Sequence, residues 1–322
     1  MNILRNFVAG IFSATLAFTC VAGEYPEREI RLLVPFAPGG AADIMARIIA
    51  EPLGRALGQT VLVENRSGAG GLIGATETMK AAPDGYSLGL ATASTTAAVP
   101  ALNPKAGYNP TTDFTAITGI AATANVLAVH PSFPATTYAQ FLEEVKRRPG
   151  KYAYASSGQG TILHLQMELY KSLSGTYIVH VPYRGSGPAL NDVIAGQVPI
   201  IFDNIPSALP FIKELRLVPL LVASPQRMAA MPNVPTFNEA GLEAVNRMAY
   251  YGVVGPRNIP KDVVDKLHAA IAKVLGDPAV RKRIEDTGSV VLASSPRDFS
   301  AQIKSEFELH QKVVKDRKLA LN

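Results

Sequence analysis

Short apolar runs that stop at glycine or proline alternate with stretches of helical periodicity along most of this chain. Residues 30–34 form the first run, a predicted buried strand broken by Pro35, Pro38, Gly39 and Gly40. A helix is predicted from Ala41, with Ile44, Ile48 and Ile49 on one face and Arg47, Glu51 and Arg55 toward water. Pro52 is expected to kink it and Gly58 to end it. A strand, a glycine turn and a helix start leave backbone N–H groups unpaired at the positive end of a helix dipole. Such a mouth is an anion site built of main chain. The same glycines also suit a tight turn with no ligand.

The rhythm repeats. A second strand is predicted at 60–64, a glycine-rich loop at 65–74, a helix to about 82 and a third strand at 86–93 that ends in Ser94-Thr95-Thr96. After a Pro/Asn/Gly-rich passage at 103–112, residues 114–129 read as strand-like. A second set follows: helix 138–148, strand 152–155, loop 156–161, helix 162–172, strand 177–181, helix 189–195, and strands at 199–202 and 217–222. Alternation of this kind predicts right-handed crossovers and mainly parallel sheets, with ligands held beyond the carboxyl ends of the strands.

The last third predicts a strand at 250–254, a helix opened by Pro260 with Val264, Leu267, Ile271 and Val274 in one stripe, and a helix started by Asp277-Pro278. A terminal helix begins at Ser295-Pro296 and should turn Phe299, Ile303 and Phe307 inward. These helices have too little sheet of their own to form a third unit, so they are expected to return to the first. The fold class expected is α/β with two lobes: residues 24–123 plus 240–322, and residues 124–239. Two chain crossings between them predict a hinge and a cleft.

Residues 1–23 follow a different pattern. Arg5 precedes an apolar run at 7–18, and Val21-Ala22-Gly23 supplies small residues, which together predict a cleaved secretory signal peptide. The sole cysteine, Cys20, falls inside it, after Thr19 and Ala17 rather than the residues of a lipoprotein signal. Thiol nucleophiles, thiolate metal sites and Fe–S clusters are thereby excluded from the exported chain, and periplasmic export is expected. Residues 24–322 hold 30 basic and 26 acidic residues, a net charge of +4 that is dispersed rather than clustered. That gives no reason to expect nucleic acid.

Residues 68–74 follow a strand and open a helix, but Ile73 stands where a dinucleotide fingerprint needs glycine. The five histidines lack His or Cys partners at metal-ligand spacing, so no metal and no cofactor are expected. His164, just past Ser156-Ser157-Gly158, leaves one enzymatic alternative, a secreted hydrolase using Ser156 or Ser157 with His164. No nucleophile elbow supports it. The stronger pattern is duplication. Gly39-Gly40-Ala41 and Ser157-Gly158-Gln159-Gly160-Thr161 are two glycine mouths on two lobes, with Ser94, Thr95, Ser156, Ser157 and Thr161 as neutral donors nearby. Facing each other, they would hold an oxygen-rich ligand without a buried cation.

The segments at 34–47, 63–74, 83–86, 155–165, 181–189 and 202–204, in this order, resemble the Bug-type (UPF0065) extracytoplasmic solute receptors. These are the TctC-like substrate-binding components of tripartite tricarboxylate transporters, and the resemblance spans the whole chain after residue 23. It implies a monomeric two-lobed periplasmic binding protein that closes on a small carboxylate and delivers it to integral-membrane permease subunits. It also implies ligand-binding roles for Gly39, Gly40, Ala41, Asp43, Ser156, Ser157, Gly158 and Thr161, and for His164, Ser94, Thr95 and Asp203. Asp43 has a competing structural role at its helix start. Ala42 and Thr161 depart from residues frequent in relatives, so the distal ligand contacts are expected to differ.

Overall fold

A computed structural model describes residues 24–318; residues 1–23, expected to be a signal peptide, and with them Cys20, lie outside the described residues. The chain opens with β1 (Ile30–Val34), α1 (Ala41–Leu57), β2 (Val61–Asn65), α2 (Leu72–Lys80), β3 (Ser87–Thr92) and α3 (Val99–Leu102). β1 pairs in parallel with β2 and with β3, the pattern two βα crossovers produce. Pro52 sits inside α1 without ending it, and Gly58 stops the helix in the left-handed conformation (φ 70°) with its N–H on the Gly54 carbonyl.

The strand-like run at 114–129 is two strands. β4 (Phe114–Thr123) pairs in the first sheet, and β5 (Asn125–Val129) enters a second. The second sheet is built from α4 (Tyr138–Arg147), β6 (Ala153–Ser156), α5 (Ile162–Ser174), β7 (Val179–Pro182), α6 (Ser186–Ile194), β8 (Ile200–Asn204), α7 (Ile205–Lys213) and β9 (Val218–Ala223). β10 (Ala249–Pro256) then returns to the first sheet, followed by α8 (Lys261–Gly276), α9 (Pro278–Glu285), β11 (Ser289–Val291) and α10 (Pro296–Arg317).

Strand orders are β11-β4-β10-β3-β1-β2 and β7-β6-β8-β5-β9. Both sheets are mixed rather than mainly parallel. The βα units give parallel pairs, but the crossing strands β5 and β10 run antiparallel to all their neighbours. The physical reason is direction: each crossing strand enters its sheet from the other one, so it arrives opposed to the strands laid down by local crossovers.

The terminal helix docks on β4 and on residues 94–102. Phe299 and Ile303 are buried, with Phe299 edge-on to Tyr250. Phe307 is only half buried; His310, one helical turn from Glu306, completes the inner face and is held by the Glu306 carbonyl at 2.7 Å. Among the described residues no helix is long and apolar enough to cross a membrane.

Candidate functional site

The carboxyl ends of β1, β3, β6, β7 and β8 and the start of β10 converge on one partly enclosed cavity between the sheets. Gly40, Ala41, Ala42, Ser94, Ser157 and Ser186 line it, with Asn204, Tyr250, Tyr251 and a rim of apolar groups including Phe36 and Ile162. No Lys, Arg, Asp or Glu side chain is among the lining groups. Its volume, about 20 Å³, is near that of a single water-sized guest. Anything larger requires the two sheets to separate.

The contacts that close it cross from one sheet's loops to the other's. The Ala37 N–H donates to the Arg184 carbonyl at 3.0 Å, and the Ile162 N–H donates to Ser94 Oγ at 3.1 Å. Gly187 packs so tightly on Pro38 that a Cβ there would lie 2.1 Å from the Pro38 oxygen.

At the first mouth, α1 begins with Gly40 as a residue of extended backbone and no side-chain cap. The N–H groups of its first turn therefore have no intrahelical acceptor and open on the cavity. Gly39, at φ +83°, takes the left-handed conformation the turn needs and donates its N–H to Asp43 at 3.1 Å. Asp43 also accepts Arg47 Nε and Asn65 Nδ2, each at 3.0 Å. Burial works against its charge, but Arg47, the Gly39 N–H and Asn65 together hold its carboxyl below the ordinary value. Asp43 thus ties down the loop that presents Gly40, Ala41 and Ala42.

At the second mouth, Ser157 lines the cavity while Ser156 is buried beneath it. Ser156 Oγ accepts the Gly158 N–H at 3.2 Å and bonds His180 Nε2 at 2.7 Å. Thr161 caps α5, accepting the His164 N–H and donating to the Gly158 carbonyl. His164 Nδ1 accepts the Gly160 N–H at 3.1 Å, and its ring stacks on His180 at 4.1 Å, which stacks in turn on Tyr154. Burial lowers the pKa of His164 against the pull of Glu168. Burial, with His164 and Lys171 nearby, brings His180 down to about 3. The stack is neutral at neutral pH and braces the loop from behind.

The expected residues therefore divide. Gly40, Ala41, Ser94 and Ser157 are brought together on the cavity wall. Gly39, Asp43, Ser156, Gly158, Thr161 and His164 hold the loops that carry them. Thr95 is turned into a local exchange of hydrogen bonds with Thr92. Asp203 lies one layer back, fully buried, accepting hydrogen bonds from Ser186 and Ser207. Burial pushes its carboxyl up to about 6, with those hydroxyls pulling the other way.

Ser186, Asn204, Tyr250 and Tyr251 were not anticipated as wall residues. Arg184-Gly185-Ser186-Gly187 carried a signal, because it is a third glycine turn opening a helix. The tyrosines gave none: an apolar strand reading of β10 does not say which of its side chains face a cleft. Among the described residues no cluster of His, Cys, Asp or Glu is placed to hold a metal ion.

Comparison with known proteins agrees with this architecture. The chain is 34% identical over 322 residues to the UPF0065 protein in the tcbD-tcbE intergenic region of Pseudomonas sp. (strain P51), covering 99% of this chain and 96% of that one. It is 34% identical over 320 residues to protein BugT of Bordetella pertussis, covering 98% of each. A solved periplasmic transporter structure superposes at TM-score 0.91 with 47% identity, over 92% of this chain and all of that one. Two Rhodopseudomonas palustris structures, Rpa4515 with adipate and MatC with bound malate, superpose at 0.88 and 0.87, each 33% identical. They cover 92% and 90% of this chain, and 99% and 100% of their own. The family model for the tripartite tricarboxylate transporter family receptor matches residues 45–319. With the fold, the cleft and full-length relatives in agreement, the chain belongs to this family of Bug/TctC periplasmic solute-binding receptors.

Proposed function

We propose that the protein captures a small carboxylate between its lobes, residues 24–123 plus 240–322 and residues 124–239, and presents it to the membrane subunits of a tripartite transporter. The observation that carries this reading is the cavity wall. Two helix mouths, at Gly40 and at Ser186, and the hydroxyls of Ser94 and Ser157 meet there with no cationic side chain. Unpaired main-chain N–H groups at the α1 mouth suit a carboxylate, which gains charge-assisted hydrogen bonds without the cost of burying a lysine or arginine. The adipate and malate held by two relatives of the same fold support a carboxylate of similar size.

A hydrolase would need a serine that meets both the cavity and a base. Ser157 meets the cavity; Ser156 meets His180, whose pKa of about 3 makes it a weak base. Those two properties sit on different serines, which favours holding over reacting.

The test is a thermal-shift screen of aliphatic, hydroxy, amino and aromatic carboxylates, followed by calorimetry and recovery of the ligand. A ligand present at 100 times its Kd is expected to add about 2.7 kcal/mol to stability and to be recovered unchanged. Consumption of an ester with no carboxylate binding would overturn the receptor reading.

A further inference from the structure

Asp203 is a buried carboxylate that the anion-holding role does not use. It sits immediately behind a wall that, on the reading above, receives an anion. Its two oxygens accept the hydroxyls of Ser186 and Ser207, and it has no cationic partner among the described residues. Ser207 and Asn204 flank it on its own side, and buried Tyr251 faces it from β10.

The hydroxyl of serine has one hydrogen. Ser186 spends it on Asp203, so its hydroxyl oxygen keeps lone pairs and has no hydrogen left to give a ligand. Asn204, beside it on the wall, is oriented by a row of amides whose direction is fixed at its far end. The Arg247 and Val245 carbonyls can only accept, and they take Gln166 Nε2 at 2.9 and 3.4 Å. Gln166 Oε1 must then accept Asn125 Nδ2 at 2.6 Å, and Asn125 Oδ1 accepts Asn204 Nδ2 at 2.5 Å. With Nδ2 turned to Asn125, Asn204 Oδ1 is the acceptor that ends the row. Ser186 Oγ and Asn204 Oδ1 therefore supply acceptors on this side, beside the N–H groups of the α6 mouth, while the α1 mouth opposite supplies main-chain donors.

We infer that Ser186 and Asn204, backed by Asp203, form a hydrogen-bond-accepting subsite that selects ligands carrying a hydroxyl or ammonium group beside the carboxylate. The inference rests on a carboxylate occupying this cavity. It adds that the receptor discriminates a 2-hydroxy or 2-amino carboxylate from the plain acid of equal length. A plain dicarboxylate set against these two side chains meets lone pairs and a buried negative charge. It is accommodated when Asp203 takes up a proton, which frees the Ser186 hydrogen to point into the cavity. The elevated pKa of Asp203, about 6, places that exchange within reach of ordinary pH.

The experiment is calorimetry on matched sets: succinate, malate and aspartate; glutarate, 2-hydroxyglutarate and glutamate; benzoate and salicylate. At pH 8.5 the donor-bearing member of the set that binds is expected to be favoured at least tenfold, and the hydroxyl and amino arms show which donor is preferred. At pH 6.5 the gap is expected to narrow. Binding of the plain acid at pH 7 should take up protons, read from its heats in buffers of different ionisation enthalpy. Asp203→Asn and Ser186→Ala, checked for folding by circular dichroism, should each bring the members of a set within about threefold while still binding the plain acid. Equal affinities within every binding set at pH 8.5, or an unchanged preference in both folded variants, would overturn the subsite. Binding by no carboxylate at any pH would instead overturn the receptor reading, and the subsite with it.

Discussion

Replacing Gly187 with alanine separates closure from folding. Gly187 lies in the first turn of α6, a backbone that alanine adopts readily, and in a helix alanine is favoured over glycine by about 1 kcal/mol. Within its own lobe the change is neutral or mildly stabilising. Across the cleft it is not. The new Cβ would stand 2.1 Å from the Pro38 oxygen, 3.3 Å from its carbonyl carbon and 3.5 Å from that of Gly39. That loop cannot easily retreat, because Asp43 and Asn65 hold it at Gly39 and Phe36. Relief requires the lobes to stand roughly an ångström further apart. Overpacking of this kind costs about 1–3 kcal/mol, all of it in the closed form. Carboxylate affinity should then fall roughly 5- to 150-fold. The assay pairs calorimetry with small-angle scattering, since the chain has no tryptophan to report closure. The variant should keep the unliganded melting temperature, bind more weakly and contract less on ligand addition. Full affinity and full contraction in a folded Gly187→Ala protein would refute the reasoning.

Two further predictions concern buried carboxylates of opposite behaviour. Asp203 has a native pKa of about 6 against 3.8 for the free side chain, so the native state binds more protons across that interval and stability contributed by Asp203 falls as pH rises through it. The loss is about 3 kcal/mol. Asp203→Asn should therefore gain on wild type between pH 4 and 6.5 and level off above, measured by urea unfolding. A difference independent of pH would sink the argument. Taking the variant against wild type also removes the contribution of His164 and His180, whose lowered pKa values make stability rise with pH below 6.5. Asp43 is the reverse case: its depressed pKa contributes stability above the ordinary carboxylate value and loses it as pH falls. Asp43→Ala leaves the Gly39 N–H, Arg47 and Asn65 without their acceptor and should cost about 1–3 kcal/mol at pH 7. An unfolding free energy within 0.3 kcal/mol of wild type (roughly the scatter of such measurements) would show the tie to be idle.

Much of this site was legible in the sequence because glycine turns between strands and helices are local events. Gly39-Gly40 and Ser157-Gly158 announced their mouths through residues that sit side by side in the chain, and both mouths reach one cavity. What escaped is non-local. A lobe boundary was expected at 123/124, but residues 114–129 were read as strand-like throughout, and no residue there marks the break at Ala124 that divides the run into β4 and β5 of two different sheets. The same directional fact makes both sheets mixed. Hydroxyls gave the least guidance. Ser156, Ser157 and Thr161 are chemically alike and nearly adjacent, yet one meets the cavity, one bonds a histidine and one caps a helix. Only the path of the backbone decides between those fates. Asp203 was visible as an acid at the end of a strand, but its place behind Ser186 depends on two elements meeting.

The neutral lining of the cavity has an evolutionary consequence. A grip made of main-chain N–H groups is not removed by changing a side chain, because every residue except proline supplies the same donor. The features that would sort one ligand from another, at Ser186, Asn204, Asp203, Tyr250 and Tyr251, are ordinary side chains open to single substitutions. On the proposed reading, recognition of the anion and choice of its bearer are written in different parts of the molecule. After gene duplication the second can drift while the first is retained, so one scaffold can give rise to receptors for many acids.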